Sequence, residues 1–470
     1  MYEKKRLHPA TIVFNFLQLL KDFFLPIIIG FLTIGSEGFG YFLIVTAIIL
    51  IIFIPFSVLS WYRFTYQTTE EQLIIEQGVF IRKKRYISKN RIHSIDLTET
   101  LIHRMFKLVK VQIETAGSGD GAEVFLKAVS LKEGEELREQ LKKTSQIVYE
   151  ELPDHTDQIT VGRLFIAGST SGSIGVILAA IGFFFSQMEQ FIPDSFYDET
   201  IKWIIGLSVI FLIGLIIFIL FILWLLGIAG TMIKYGNFTI TKRKEELFIT
   251  RGLLEKKQIT IPVDRIQAVG IDESIFRQPF GFTTVFVEVA GGAIDQGSDF
   301  TTVLFPLLKR EELEVFLKKY LPDYVSEEKE LPSLPKKSMI YYIARSFFPV
   351  LILSIILFVI FPEFVYIPFT FMIISIVYGW LVYKDSGMKL AGKKLTIRYR
   401  RGLSRRTIRI FQNRIQALEI KQHKLHLLHG LASVKVSIIA TSGNGKHFTV
   451  HEAHSKDADR IFSWFSYQKI

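Results

Sequence analysis

Long apolar runs alternate along the chain with longer polar stretches. Six of these runs approach the roughly 20 residues that a helix needs to cross a bilayer. They fall into three pairs with short connections, at residues 10–34 with 39–61, 164–185 with 203–228, and 347–361 with 364–383. Because backbone groups in lipid must be hydrogen-bonded internally, each pair predicts a helical hairpin.

The polar regions between and after the hairpins have the patterns of strands and of a closing helix. Apolar and polar residues alternate plainly at residues 247–250 and 434–438, which predicts half-buried strands. Each region ends with apolar residues at helical spacing, at 133–143, 309–320 and 456–465. About seven short strands closed by one amphipathic helix indicate a small, bent β-sheet domain with a capped open end.

The polar regions also share landmarks at nearly constant spacing. A glycine suited to a tight turn at positive φ recurs as Gly78, Gly252 and Gly402. An arginine followed by isoleucine comes 13, 13 and 12 residues later, as Arg91, Arg265 and Arg414. Further on, residues 110–117 match residues 284–291, and residues 433–439 occupy the same place in the third region. The chain is therefore interpreted as one hairpin-plus-domain unit present three times.

These repeats set the expected domain boundaries. Transmembrane hairpins are predicted at residues 10–61, 164–228 and 343–383. The β-rich domains, called here the first, second and third repeat, are predicted at residues 62–150, 233–323 and 384–470, with a linker at 324–338. The fold class is therefore membrane α-helical hairpins plus α+β soluble domains.

These landmarks resemble those of the bacterial pleckstrin-homology-like (bacterial PH) domain family, in particular its YdbT-like multi-pass members with three repeated domains. The resemblance implies a PH-like β-barrel or sandwich in each repeat and a bacterial cell membrane. It also implies a smaller paired membrane protein with a single PH-like domain, and a role in envelope defence or export. The third repeat departs most, since it has Ile439-Ala440 where the others have Ala-Gly. We therefore do not expect one identical ligand surface in all three.

Charge suggests the orientation in the membrane. Three basic residues precede the first run, whereas residues 186–202 hold four acidic residues against one lysine. Basic residues near the ends of spanning helices favour the cytoplasmic side. We therefore expect both termini and all three domains to be cytoplasmic, with the hairpin tips outside.

The third repeat is unusually basic, with 18 Lys and Arg against 5 Asp and Glu over residues 384–470, a difference of +13. Six arginines flank the turn at Gly402: Arg398, Arg400, Arg401, Arg405, Arg406 and Arg409. Alternation along paired strands would place several on one face. They could bind anionic lipid, nucleic acid or an acidic protein, or reflect a general positive-inside bias. Inner-leaflet lipid is the nearest partner, and nucleic acid is not expected because no recognition helix or aromatic strip accompanies the charge.

The recurring arginines Arg91, Arg265 and Arg414 have two interpretations. A guanidinium can bind a lipid headgroup or a partner's carboxylate in a fixed fork. It can also tie a loop to the barrel through backbone carbonyls. Their recurrence in every repeat favours the structural interpretation.

Two other polar groups have open interpretations. His423, His426 and His429 have a spacing compatible with zinc or nickel, but the second repeat has no histidines at these places, so no metal is expected. Asn15, Gln18 and Asp22 share one helical face beside Lys21. They could face a protein interior or cavity, belong to an interfacial helix, or be satisfied by a Lys21–Asp22 pair.

Catalysis finds little support. The chain has no cysteine, which excludes disulfides and thiolate chemistry. No Walker loop, nucleophile elbow or zinc-protease motif is present, and the glycine-rich residues 117–121 fit a hairpin turn. We therefore expect a non-enzymatic membrane scaffold without cofactors, whose domains contact the inner leaflet or a partner membrane protein. Assembly through sheet edges could also give a homo-oligomer. The alternative is a six-span transporter or channel component.

Overall fold

The computed structural model describes residues 4–33, 39–115, 124–141, 154–172, 175, 178–179, 181–183, 208–290, 301–326, 331–360, 362, 366–439 and 445–466. The chain divides into two compact units. The first contains residues 1–118, 122–243 and 248–260, and the second contains residues 119–121, 244–247 and 261–470. The boundary therefore falls within the second repeat, and each unit is described by itself.

The helices of the first unit are α1 (Thr11–Thr33), α2 (Phe39–Arg63), α3 (Leu101–Met105), α4 (Leu131–Leu141), α5 (Val161–Ser169) and α6 (Val209–Tyr235). Those of the second unit are α7 (Leu313–Tyr320), α8 (Ser338–Ile360), α9 (Tyr366–Asp385), α10 (Lys424–His429) and α11 (Ser455–Ser466). Within the described part of the chain, four helices are long and apolar enough to cross a membrane: α2, α6, α8 and α9.

Small residues bring neighbouring apolar helices close together. A Cβ added to Gly168 of α5 would lie 2.8 Å from Cα of Ile228 in α6, and one added to Gly379 of α9 would lie 2.7 Å from Cα of Ile343 in α8. Such close approach is typical of helix packing in membranes. The predicted run at 164–185 lies partly outside the described residues. The complete arrangement of six spans in three hairpins therefore stays a prediction.

The strands of the first unit are β1 (Lys5–Arg6), β2 (Thr65–Thr68), β3 (Gln72–Gln77), β4 (Lys83–Ser88), β5 (Ile92–Glu99), β6 (Leu108–Thr115), β7 (Val124–Ser130), β8 (His155–Gln158), β9 (Thr239–Arg243), β10 (Glu246–Arg251) and β11 (Lys256–Pro262), the last two extending into the second unit. They form a four-stranded sheet in the order β1-β2-β3-β4 and a seven-stranded sheet in the order β7-β6-β5-β11-β10-β9-β8. The antiparallel pair β5–β11 thus joins a strand of the first repeat to a strand of the second.

The strands of the second unit are β12 (Ile266–Ser274), β13 (Phe282–Val289), β14 (Thr302–Lys309), β15 (Gly387–Ala391), β16 (Lys394–Arg401), β17 (Ser404–Phe411), β18 (Ile415–Lys421), β19 (Leu431–Ile438) and β20 (Lys446–His454). They form a six-stranded sheet in the order β14-β13-β12-β17-β16-β15 and a three-stranded sheet in the order β18-β19-β20. Here the antiparallel pair β12–β17 joins the second repeat to the third.

Burial follows the period of two that the sequence predicts for strands. In β10, Leu247 and Ile249 are fully buried while Phe248 between them is partly exposed. Helix α4 closes the core of the first repeat with Leu137 and Leu141, as the pattern at 133–143 predicts. Helix α11 closes the core of the third repeat in the same way, through Ala458 and Ile461.

The recurring glycines occupy the turn between the second and third strands at positive φ, as predicted. Gly78 and Gly252 have φ of +112° and +105°, whereas Gly402 has +55°. The difference follows from turn length: in the third repeat Arg401 pairs directly with Ser404, which leaves a two-residue turn.

These turns predict unequal effects for one substitution. A Cβ on Gly252 would lie 2.0 Å from the carbonyl oxygen of Glu255, whereas a Cβ on Gly402 meets nothing within 4 Å. We expect Gly252→Ala to lower the free energy of unfolding by about 2–3 kcal/mol, the upper part of the cost of local backbone strain, and Gly402→Ala by about 1 kcal/mol. Denaturant titration of the full chain in detergent measures both. Equal effects would contradict the steric account.

Candidate functional site

The recurring arginines end a short 3-10 turn that connects two strands in each repeat. The turns are Lys89–Arg91, Val263–Arg265 and Gln412–Arg414. In each, the first residue donates its backbone N–H at 2.9 Å to a carbonyl in the turn between the first two strands of its repeat. The Arg414 guanidinium donates to the backbone carbonyl of Asp264 at 2.7 Å. A bond to a backbone carbonyl is the contact that the structural interpretation of this arginine expects. A role for Arg91 and Arg265 stays a prediction.

The arginines of the third repeat lie in β16 and β17, where most of them contact acidic groups. Arg400 is buried, and its guanidinium contacts the Asp385 carboxylate at 2.8 and 2.5 Å. Arg405 contacts Glu273 at 2.6 Å and Asp385 at 3.5 Å. Because Asp385 is the last residue of α9, these contacts tie an apolar helix to the sheet.

The remaining arginines of this set have other surroundings. Arg406 contacts Asp272 at 2.8 Å, and Arg409 contacts Glu314 at 2.5 Å. Arg398 donates to the carbonyl of Asp385 at 3.0 Å, and Arg401 is exposed at the end of β16. The set is therefore largely engaged within the protein, and binding of an outside ligand by it stays a prediction.

Three of these arginines also line a cleft of about 950 Å³ in the second unit. Six basic side chains face it, Lys309, Arg310, Lys389, Arg398, Arg405 and Arg409, against three acidic ones, Glu273, Glu311 and Glu314. Burial, with Arg405 and Arg310 nearby, holds the pKa of Arg398 below its ordinary value. An anion in this basic cleft would favour the charged form of Arg398, so the cleft is a candidate anion site.

A second candidate surface is formed by the glycine turns, whose apolar tips lie beside apolar helices. Phe80 is 91% exposed, and its ring centroid lies 6.2 Å from that of Phe56 in α2. Leu253 donates its backbone N–H to the carbonyl of Ile233 in α6 at 2.9 Å. The Gly402 carbonyl accepts from the Tyr378 hydroxyl of α9 at 3.2 Å. Sequence reasoning missed these tips, although apolar residues follow the turn glycine closely in every repeat.

A second set of exposed apolar residues lies where each repeat connects its next two strands. Met105 at the end of α3 and Leu428 in α10 are 80% and 78% exposed. Each of these short helices contacts the first apolar helix of its own hairpin: His103 stacks on Phe14 at 4.1 Å, and Tyr341 hydrogen-bonds His429 at 2.6 Å. The corresponding connection in the second repeat exposes Phe276 and Phe280. We call all these exposed residues the apolar tips.

The histidines at 423, 426 and 429 have separate surroundings. His423 caps α10 by accepting the backbone N–H of Leu425 at 3.4 Å, and His429 contacts Tyr341. His426 lies 3.6 Å from the buried Glu452 carboxylate, which also contacts Arg345. Among the described residues, no group of three or more His, Asp or Glu side chains has a metal-binding arrangement.

The polar face of α1 is bound by the first repeat. The ammonium group of Lys127 in β7 donates to Asn15 at 2.7 Å and to Gln18 at 2.8 Å. Burial lowers the pKa of Lys127, with the nearby Asp22 carboxylate opposing that shift. Asn15 and Gln18 thus face protein, one of the arrangements expected for polar groups in an apolar helix.

The buried carboxyl group of Asp96 lies at the pairing of β5 with β11. One carboxyl oxygen accepts the backbone N–H of Thr260 at 3.2 Å, and among the described residues the other has no hydrogen-bond partner. Burial raises the pKa of Asp96 to about 7. The carboxyl therefore binds a proton in the folded protein over a range where the unfolded chain releases it.

When folding raises the pKa of a carboxyl group, the free energy of unfolding falls as the pH rises. The fall runs from the pKa of the group in the unfolded chain to its pKa in the folded protein. For Asp96 this window runs from about 4 to about 7. We expect the free energy of unfolding to fall by about 2 kcal/mol between pH 5 and pH 6.5. Asp96→Asn should remove this part of the slope, measured by denaturant titration at each pH. An unchanged slope in the variant would show that Asp96 does not titrate as proposed.

Comparison with known proteins agrees with this architecture. The family model "Bacterial PH domain" matches three times, at residues 20–145, 200–324 and 342–469. The chain belongs to the bacterial PH domain family and contains three copies of that domain. It is 33% identical to the UPF0699 transmembrane protein YdbT of Bacillus subtilis (strain 168), over all of this chain and 99% of that protein. No solved structure matches. The family resemblance and the membrane class expected from the sequence are thereby confirmed.

Proposed function

We propose that this protein is a non-enzymatic membrane scaffold whose three cytoplasmic PH-like domains contact the inner leaflet or a partner membrane protein. The observation that carries the proposal is the position of the apolar tips. In each repeat, an exposed apolar turn lies beside a helix able to span the bilayer. Large exposed apolar side chains are unfavourable in water and are favourable in the interfacial region of a membrane.

The basic cleft supports an electrostatic part of this contact. Basic residues near the inner leaflet each contribute about 1 kcal/mol of attraction to anionic lipid. Lys309 and Arg310 are exposed at the cleft, and among the described residues neither has an ion-pair partner. They are well placed to bind the phosphate of a headgroup or the carboxylate of an acidic partner.

Removal of these two charges should weaken binding of an anionic headgroup. We expect Lys309→Gln with Arg310→Gln to lower the affinity for dihexanoyl phosphatidylglycerol about 25-fold, at about 1 kcal/mol for each charge. Isothermal titration calorimetry of the full chain in detergent measures this. Dihexanoyl phosphatidylcholine is the neutral control ligand, and equal binding of the two lipids would contradict the proposal.

The resemblance to multi-pass family members supports a partner membrane protein with a single PH-like domain and a role in envelope defence or export. Co-purification of a defined second membrane protein, without solute flux in proteoliposomes, is the result expected of a scaffold. Flux would favour the transporter or channel alternative. Among the described residues no specific contact favours that alternative, because Lys127 binds the polar face of α1 and no charge precedes Lys234 in α6.

The depth of the tips in the membrane tests the scaffold proposal. Phe80, Leu254 and Leu403 are exposed apolar residues of the three glycine turns. Since the chain has no cysteine, Phe80→Cys, Leu254→Cys and Leu403→Cys each carry one site for an environment-sensitive fluorophore. In nanodiscs we expect blue-shifted emission and quenching by lipids with a spin label high on the acyl chain. The exposed positions Lys132 and Asp459, changed to cysteine, are controls. Equal emission and quenching at tips and controls would contradict membrane contact.

A further inference from the structure

The two joints between repeats use one register. In the β5–β11 joint, Leu97 pairs with Gln258, and in the β12–β17 joint, Ile271 pairs with Thr407. Leu97 and Ile271 each lie six residues after the recurring arginine of their repeat, and Gln258 and Thr407 each lie seven residues before the next one. The same strand positions therefore meet twice, once in each unit.

The charges at these joints also recur. The strand that follows the arginine ends in Thr98-Glu99 in the first joint and carries Asp272-Glu273 near its end in the second. Opposite them lie Lys257-Lys256 and Arg406-Arg405. Ion pairs form at 3.8 Å for Glu99 with Lys256, at 2.8 Å for Asp272 with Arg406 and at 2.6 Å for Glu273 with Arg405. One acidic residue in the first joint and two in the second therefore pair with a basic strand start.

Strand β4 has the basic half of this pattern at the edge of its sheet. Counted back from Arg91, Lys83 and Arg82 hold the places of the basic residues at both joints. Among the described strands, β4 lies last in the four-stranded sheet, with β3 as its neighbour. Both cations are exposed, and within the described ranges neither has an ion-pair partner. By contrast, Lys84 contacts Glu76 at 3.1 Å.

The acidic half is missing from β18, the strand that follows the recurring arginine in the third repeat. Counted forward from Arg414, the acidic positions hold Lys421 and Gln422. A second copy docked in the shared register would place Lys421 opposite Lys83, and like charges directly opposite each other are destabilising. Lysine on an edge strand also disfavours unspecific pairing. The charges thus argue against a second copy and for a different, acidic strand.

We infer that the outer edge of β4 binds an antiparallel strand of a different polypeptide, which carries two acidic residues at its end that face Lys83 and Arg82. Main-chain hydrogen bonds extend the four-stranded sheet, and the two ion pairs select register and partner. This inference rests on the proposed scaffold function and specifies the chemistry of its partner. It uses the interface that the chain itself forms at both internal joints.

The test uses the full chain in detergent and two fluorescein-labelled peptides. One copies Ile266–Ser274 of β12, with its acidic end, and the other has both Asp272 and Glu273 replaced by lysine. By fluorescence anisotropy we expect the acidic peptide to bind the unmodified chain at least about tenfold more tightly than the basic one. The variant Arg82→Glu with Lys83→Glu should reverse this preference. Lys132→Glu, at an exposed cation of α4, should leave it unchanged.

Cross-linking then tests the register. Tyr86 lies five residues before Arg91, as Arg409 lies five before Arg414, and Arg409 pairs with Val269. Tyr86→Cys should therefore form a disulfide with a peptide carrying Val269→Cys and not with one carrying cysteine at Ser274. Equal binding of the two peptides, or cross-linking without regard to register, would overturn the inference.

Two further outcomes separate this inference from its alternatives. Concentration-dependent oligomers of the chain that Lys83→Glu strengthens, because it removes the repulsion from Lys421, would identify a second copy as the occupant and overturn the inference. The fluorophore depth at positions 80, 254 and 403 is independent of the β4 charges, since it reports on lipid contact alone. If the chain prefers the acidic peptide but the fluorophores at the tips do not contact lipid, the scaffold's membrane role is contradicted. If the fluorophores contact lipid but the chain does not prefer the acidic peptide, only this inference is contradicted.

Discussion

Asp385→Ala should lower the free energy of unfolding by about 3–5 kcal/mol, the effect expected when one partner of a buried ion pair is removed. The Arg400 side chain is 1% exposed and depends on this carboxylate for two contacts, at 2.8 and 2.5 Å. Arg405 loses its contact at 3.5 Å as well. The variant would leave the buried Arg400 guanidinium with only neutral partners, the Leu403 carbonyl and the Gln278 side-chain oxygen, at the point where α9 meets β16.

Denaturant titration of the full chain in detergent, followed by tryptophan fluorescence, measures this loss. Asp459→Ala is the matched control, because Asp459 is exposed on α11 and its removal should change stability by no more than about 0.5 kcal/mol. A loss below about 1 kcal/mol for Asp385→Ala would mean that the ion pair is not an effective link between helix and sheet.

Phe286→Ala should have an effect of similar size, about 3–5 kcal/mol, because it opens a large cavity in a closely packed region. Phe286 is 3% exposed, and its ring covers Gly270 so closely that a Cβ there would lie 2.0 Å from the ring. The Arg406 guanidinium lies 5.4 Å from the ring centroid while it contacts Asp272. The substitution therefore removes core packing and a support of the joint between β12 and β17.

Phe280→Ala provides the control for this prediction. Phe280 is 70% exposed, so its loss should change the free energy of unfolding by no more than about 0.5 kcal/mol. The same denaturant titration compares the two variants. Equal losses would show that burial of Phe286 does not determine its contribution.

Much of the fold could be predicted from the sequence because its signals are local. The alternation at Leu247 and Ile249 predicts a strand of the observed burial pattern. The glycine turns at positive φ, and the closing helices with Leu137 and Ile461, follow from equally short patterns. The family follows from landmarks that recur in all three repeats.

The joints between repeats could not be predicted from such local patterns. Pairing of β5 with β11 brings together strands that lie more than 150 residues apart, and no periodicity within either strand indicates a partner. The signal that could have revealed it is charge at a fixed distance from the arginines, acidic after Arg265 and basic before Arg414. The same limit explains why the six arginines around Gly402 suggest a ligand surface when only the sequence is considered. Some of the carboxylates that contact them are distant in sequence, as Glu273 is, and Asp385 belongs to the end of a helix.

The polar face of α1 shows a similar limit. Asn15 and Gln18 suggest a cavity or an interfacial helix when α1 is considered alone. The side chain that binds them, Lys127, lies 112 residues from Asn15. Long-range contacts of this kind depend on how each repeat packs against its hairpin, which the helical pattern does not specify.

The location of all three PH-like domains on the cytoplasmic side is the claim on which the scaffold account depends most. Cysteine replacements at Lys132, Lys318, Asp459 and Ser195 place one thiol in each repeat and one in the predicted hairpin tip at residues 186–202. The measurement is labelling of intact cells with a membrane-impermeant maleimide. The account predicts labelling at position 195 alone, with the other three labelled only after lysis. Labelling of positions 132, 318 and 459 in intact cells would place the domains outside and contradict it.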